Sequence, residues 1–167
     1  MLIAAPLRVS PLAAQDGADA DWIHVDSSAR EVKLDIVAGM TDENFHWNFN
    51  GYFGGGATLT VPVGYHVVID FRNADPAVPH SIGVGEIQTP FPPMLTDPTP
   101  VFAGGISENP TSMTVATMPG ESETVTFTAE RAGTYALLCY IPAHAATGMW
   151  ITLEVNTGKA VSFDPGD

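Results

Sequence analysis

The stretch "CYIPAHAATGMW", residues 139–150, holds the single cysteine of the chain, one of its five histidines and one of its six methionines. Cys139, His144 and Met149 stand five positions apart, twice. The run before it, "GTYALLCY" (133–140), reads as a mostly apolar strand, and "MWITLEVN" (149–156) reads as another. The residues from Cys139 to Met149 therefore form a loop between two strands, with His144 on it.

The same strand-and-turn pattern extends outward through the chain. "EVKLDIVAG" (31–39) alternates Val32, Leu34 and Ile36 with charged neighbours, and "NFHWNFNG" (44–51) alternates Phe45, Trp47 and Phe49 with polar ones. "ATLTVPVG" (57–64) and "YHVVIDFRN" (65–73) are expected to pair as a hairpin around Pro62 and Gly64. "HSIGVGE" (80–86) gives a short strand, and "SETVTFTAE" (122–130) alternates with Val125 and Phe127 on one face. Residues 88–112 carry prolines at 90, 92, 93, 98, 100 and 110, which predicts an irregular excursion. With 16 glycines and 14 prolines punctuating 167 residues, the expectation is an all-β sandwich of about eight strands, antiparallel or mixed, with 149–156 closing it.

Charge narrows the function. Six Lys+Arg stand against 19 Asp+Glu, a formal net charge of −13 with no basic cluster, so nucleic-acid binding is excluded. Few positive charges remain once the carboxylates are protonated, so acid-driven self-repulsion is small and the chain is expected to be acid-stable. Residues 1–28 read as a flexible leader and 29–167 as one domain. Within the leader, "MLIAAPLRVSPLAAQDGADAD" (1–21) looks like the tail of an export signal whose apolar run is interrupted by Arg8. A truncated start or an upstream membrane tether would both fit, and an extracytoplasmic location is expected.

Taken singly, the residues of the opening stretch are ordinary. A cysteine at the end of an apolar strand is a small hydrophobe, and a methionine before another is core filling. Together they place a thiolate, an imidazole and a thioether around one point. A second imidazole can come from His80, at the start of the 80–86 strand. Two His and one Cys with a weak axial Met is the donor set of a mononuclear blue-copper site. Structural zinc wants four firm N or S ligands. A binuclear centre needs a second cysteine, and no His-x-His pair exists for a multicopper cluster. A Cys–His nucleophile lacks an orienting group. His24, His46 and His66 are scattered, and His46 and His66, on alternating strands, read as structural.

"GTYALLCYIPAHAATGMW" resembles the copper loop of the cupredoxins in their sulfocyanin and rusticyanin form. "PHSIGV", "FNG" and "VPVGYHVVIDFRN" are similar to other segments of that family, across about residues 31–157. The resemblance implies a cupredoxin-like Greek-key β-sandwich with one type 1 copper on His80, Cys139, His144 and Met149. It implies an exported carrier of single electrons in a respiratory chain; the chain is expected to be a monomer and not an enzyme, with redox proteins such as cytochromes or a terminal oxidase as partners. A copper-relay subunit of a larger oxidase, or a copper storage or delivery protein, remain alternatives. Ser81 is a candidate partner of the ligands. His144 is expected to show an edge to solvent, with Phe91–Met94 extending an apolar patch around it.

Overall fold

The computed structural model describes residues 20–158 and 160–166. Among the described residues nine strands run in chain order: β1 Ile23–Asp26, β2 Glu31–Ala38, β3 Thr58–Pro62, β4 His66–Asn73, β5 Gly83–Glu86, β6 Ser122–Thr128, β7 Gly133–Leu138, β8 Trp150–Asn156 and β9 Ser162–Asp164. They form two sheets, ordered β1-β2-β4-β6 and β5-β7-β8-β3-β9. β2 with β4 and β3 with β8 are parallel, while the remaining ladders are antiparallel. The result is a mixed, all-β sandwich, as the turn-rich sequence implied. Among the described residues no helix is long and apolar enough to cross a membrane.

Period-two burial builds the core. Val32, Leu34, Ile36 and Ala38 of β2, with Val67, Ile69 and Phe71 of β4, face Leu59, Leu137, Ile151, Leu153 and Val155 of the other sheet in one buried cluster. Each fully buried aliphatic side chain contributes about 1.5–3 kcal/mol of transfer free energy. The proline-rich excursion is not an appendage. Its Phe102 stacks on Phe127 in the main core, and its Phe91 packs edge-on to Trp150 in a second cluster with Ala136, Leu138 and Tyr140.

Four expectations need correction. β3 and β4 are not a hairpin, because both edges of β3 are taken by β8 and β9, and β4 lies between β2 and β6. The Val63–Tyr65 turn instead carries the chain from one sheet to the other, since two adjacent strand patterns do not specify their partners. Residues 44–51 are not a strand. Glu43–His46 form a tight turn in which Asn44, Phe45 and His46 take left-handed φ values of 50°, 61° and 67°, and only Phe49 makes bridges. The leader boundary at 28 is too late, because β1 pairs with β2 from Ile23 onward. Residues 1–19 of that leader lie outside the described residues. Finally, β8 does not close its sheet, for β3 and then β9 follow it.

Candidate metal centre

The opening stretch folds as a wound loop at one end of the sandwich. The Cys139 N–H donates to the Met149 carbonyl (3.1 Å), and the Met149 N–H donates to the His144 carbonyl (2.9 Å). Successive turns, His144 N–H to Ile141 carbonyl, Thr147 N–H to Ala143 carbonyl and Gly148 N–H to Ala145 carbonyl, satisfy the loop's backbone internally. Cys139, His144 and Met149 are all buried. His144 is only 3% exposed, so the expected solvent-facing edge is absent. The cause is Trp47, whose indole stacks on the imidazole at 4.0 Å between ring centres and 20° between planes. The left-handed turn at Asn44–His46 delivers that indole, a backbone conformation that costs these L-residues roughly 1–2 kcal/mol each.

His80 arrives on a different scaffold. Its backbone bridges Thr117 just ahead of β5, so the residue precedes the strand instead of beginning it. Asn73, fully buried at the end of β4, donates its amide to the Val78 and Thr117 carbonyls and accepts the Asp75 N–H. Asp75 Oδ1 accepts the N–H groups of Ala77 (2.8 Å) and Val78 (3.1 Å), while its Oδ2 accepts His80 Nε2–H at 2.9 Å. Gly39 lets the neighbouring chain press against this turn. Its φ is +68°, and a Cβ there would lie 2.8–2.9 Å from Asp75 atoms. Ser81 ties the two scaffolds together: its Oγ accepts the Tyr140 N–H (2.9 Å) and its N–H points at Cys139 Sγ (3.4 Å).

The donors converge. His80 Nδ1 and His144 Nδ1 lie 3.1 Å apart, and Cys139 Sγ lies 3.5 Å from the second and 3.9 Å from the first. Donors about 2.0–2.3 Å from one ion at trigonal angles stand roughly 3.5–3.8 Å apart, a spacing that these three distances bracket. A buried triangle of two imidazole nitrogens and one sulfur, with a thioether-bearing residue alongside, suits copper better than zinc. Burial also sets the protonation of the metal-free site. It pushes the Cys139 thiol up to about 11 against the pull of the Ser81 and Ile141 N–H groups. It pulls His144 down to about 3, helped by the neighbouring His80. His80 is lowered by burial despite Asp75. Burial raises Asp75, but the Ala77 N–H, the His80 imidazole and the Val78 N–H outweigh it, leaving the carboxyl below its usual range. Both imidazoles are therefore neutral and ready to ligate at pH 7.

A family model described as the sulfocyanin (SoxE) domain matches residues 18–164. The chain belongs to the sulfocyanin family. It is 28% identical to the sulfocyanin of Sulfolobus acidocaldarius over 141 residues, 82% of this chain and 69% of that one. Among solved structures it is similar to reduced rusticyanin determined by NMR, with 25% identity, a TM-score of 0.54, and 81% of this chain and 86% of that chain covered. A 2.1 Å structure of rusticyanin, described as a copper protein, covers 81% of this chain and 87% of its own at 25% identity and a TM-score of 0.50. Cupredoxin membership and the buried His80–Cys139–His144 cluster together make this a single type 1 copper site. The sulfocyanin-like domain is a blue copper electron carrier.

Of the residues singled out by sequence, the structure brings His80, Cys139 and His144 within ligand range of one another, and Met149 is buried with its backbone bonded to Cys139 and His144. Ser81 bridges both halves of the site, as its position beside His80 suggested. Phe91 does not extend a surface patch, being 6% exposed against Trp150, whereas Met94 is 62% exposed. Asp75 and Trp47 were missed. The turn "ADPAVPH" offered a signal for Asp75, an Asx-type turn opening five residues ahead of a candidate ligand. Nothing local marked Trp47, because the strand-like alternation around it concealed the left-handed turn.

Proposed function

We propose that His80 and His144 through Nδ1, and Cys139 through Sγ, would hold a copper ion, with the Met149 thioether as a fourth and weaker donor. On this reading the domain passes single electrons between respiratory redox proteins outside the cytoplasm, as one chain and with no substrate turnover. The observation that carries it is the buried convergence of two imidazole nitrogens and the chain's single thiol within 3.9 Å. Bound copper supplies a one-electron Cu(II)/Cu(I) couple. The chain's own part is to fix the donors on two hydrogen-bonded scaffolds and to exclude water, so that little has to move when the charge changes.

An apolar surface supports a docking role. Phe45 is 78% exposed two residues before Trp47. Phe53 is exposed beside Gly54, whose N–H donates to the Gly148 carbonyl, and Met94 follows Pro93, whose carbonyl accepts the Ala143 N–H. All three thus sit on segments tied to the copper loop or capping it. The exposed Asp42 and Glu43 precede Phe45 on the same turn, so a redox partner with a basic rim is favoured there. Rapid mixing of the reduced, copper-loaded protein with an oxidised c-type cytochrome tests the proposal. Second-order transfer that slows with added salt is expected. No transfer, together with ready loss of copper to a chelator, would point to delivery instead.

A further inference from the structure

Asp75 does more than close a turn. Its Oδ1 accepts two backbone N–H groups, from Ala77 and Val78, and its Oδ2 lies 2.9 Å from His80 Nε2, the distance at which a carboxylate accepts from an Nε2–H imidazole. The pair is sealed, with His80 inaccessible and Asp75 only 4% exposed. Asn73 Oδ1 accepts the Asp75 backbone N–H, and Gly39 packs closely alongside the same residue. With Nε2 committed as a donor, the lone pair of His80 must lie on Nδ1, which is the nitrogen facing Cys139 and His144.

We infer that Asp75 is a positioning residue that locks His80 as the Nδ1-ligating tautomer and, as a buried anion bonded to one of the candidate ligands, would favour Cu(II) and lower the reduction potential. The inference rests on the copper reading above. A carboxylate is specifically required. An asparagine amide offers one acceptor, so it can serve the Ala77–Val78 turn or His80, but not both. If its oxygen keeps the turn, its amide nitrogen faces Nε2 and drives the proton of His80 onto Nδ1, where the metal should be. Partners of this kind typically change metal affinity by about 10–100-fold when removed.

The test uses Asp75→Asn, with Asp70→Asn as a surface control that removes the same charge. In the metal-free wild type, long-range proton–nitrogen correlation spectra should show His80 as the Nε2–H tautomer, and Asp75→Asn should shift it toward Nδ1–H. After copper loading, Asp75→Asn should raise the Cu(I)-to-Cu(II) affinity ratio about tenfold, or ~59 mV in potential for a one-electron couple. Asp70→Asn should leave both readouts where they were. A wild-type His80 carrying its proton on Nδ1 would overturn the inference even if the variant does not fold. So would an unchanged potential in a correctly coloured Asp75→Asn protein, with the copper reading left standing. A wild type that shows the Nε2–H tautomer but no thiolate-to-copper band would instead bring down the copper reading and leave the tautomer lock intact.

Discussion

The two imidazoles of the site point their Nδ1 atoms at the same place, yet they are held by opposite means. His80 stands in a polar socket, bonded to Asp75, which is bonded in turn to the turn backbone and to Asn73. His144 stands on a loop whose backbone bonds to itself, with the Trp47 indole stacked across its face. A polar socket fixes a tautomer and adds charge. A stacked indole excludes water and lets the loop carry the ligand without a second charge in the core. Pairing one of each limits the desolvation cost, since a second buried carboxylate would have to be compensated as well.

The largest expected effect concerns acid. In the metal-free protein His144 titrates only near 3 and His80 is lowered too, while an unfolded chain protonates histidine near 6.5. Between those values the unfolded state binds more protons, so stability falls as pH drops through the window, by on the order of 4 kcal/mol for His144 alone. Urea unfolding at pH 7 and pH 4 should show that loss without copper and much less of it with copper bound. This qualifies the acid stability inferred from the low basic count, which would hold for the loaded protein. A metal-free protein equally stable at both pH values would mean that His144 is not sealed by Trp47.

Next come the sockets themselves. Asn73→Ala removes three buried hydrogen bonds beneath Asp75 and should cost about 3 kcal/mol in denaturant unfolding. Trp47→Leu keeps an apolar cap but loses the ring stack, at about 0.5–1.5 kcal/mol, and should speed copper loss to a chelator. Equal costs would erase the contrast between the two sockets. Smaller still, Met149→Leu should retain copper and colour at under about 1.5 kcal/mol, and voltammetry should find a raised potential because weak donation to Cu(II) is gone. Phe45→Ser with Met94→Ser should leave stability within about 0.5 kcal/mol and the potential unmoved. That pair should nevertheless slow electron transfer to a partner, and unchanged kinetics would place docking elsewhere.

How legible all this was in the sequence follows the same divide. The loop from Cys139 to Met149 is local, so spacing alone revealed three donors, and the alternating strands announced the sandwich. Strand partnership is not local, and β3 and β4, adjacent in sequence, end in different sheets. His80 could be chosen from its place at a strand start and from the likeness of "PHSIGV" to the family's other segments, but its carboxylate partner acts through a turn packed against Asn73 and Gly39. Trp47 was hidden more deeply. Its segment has strand-like alternation, and the left-handed turn that breaks it is held by long-range contacts, including the stack on His144 itself.

Adding Cu(II) to the purified metal-free protein, and recording visible absorption and electron paramagnetic resonance on one sample, tests the central claim most directly. An intense thiolate-to-copper band with narrow copper hyperfine splitting, both lost in Cys139→Ser, is the result predicted by a site in which Cys139, His80 and His144 share the metal plane. A pale wild-type product with wide splitting would place copper away from the Cys139 sulfur and contradict the account.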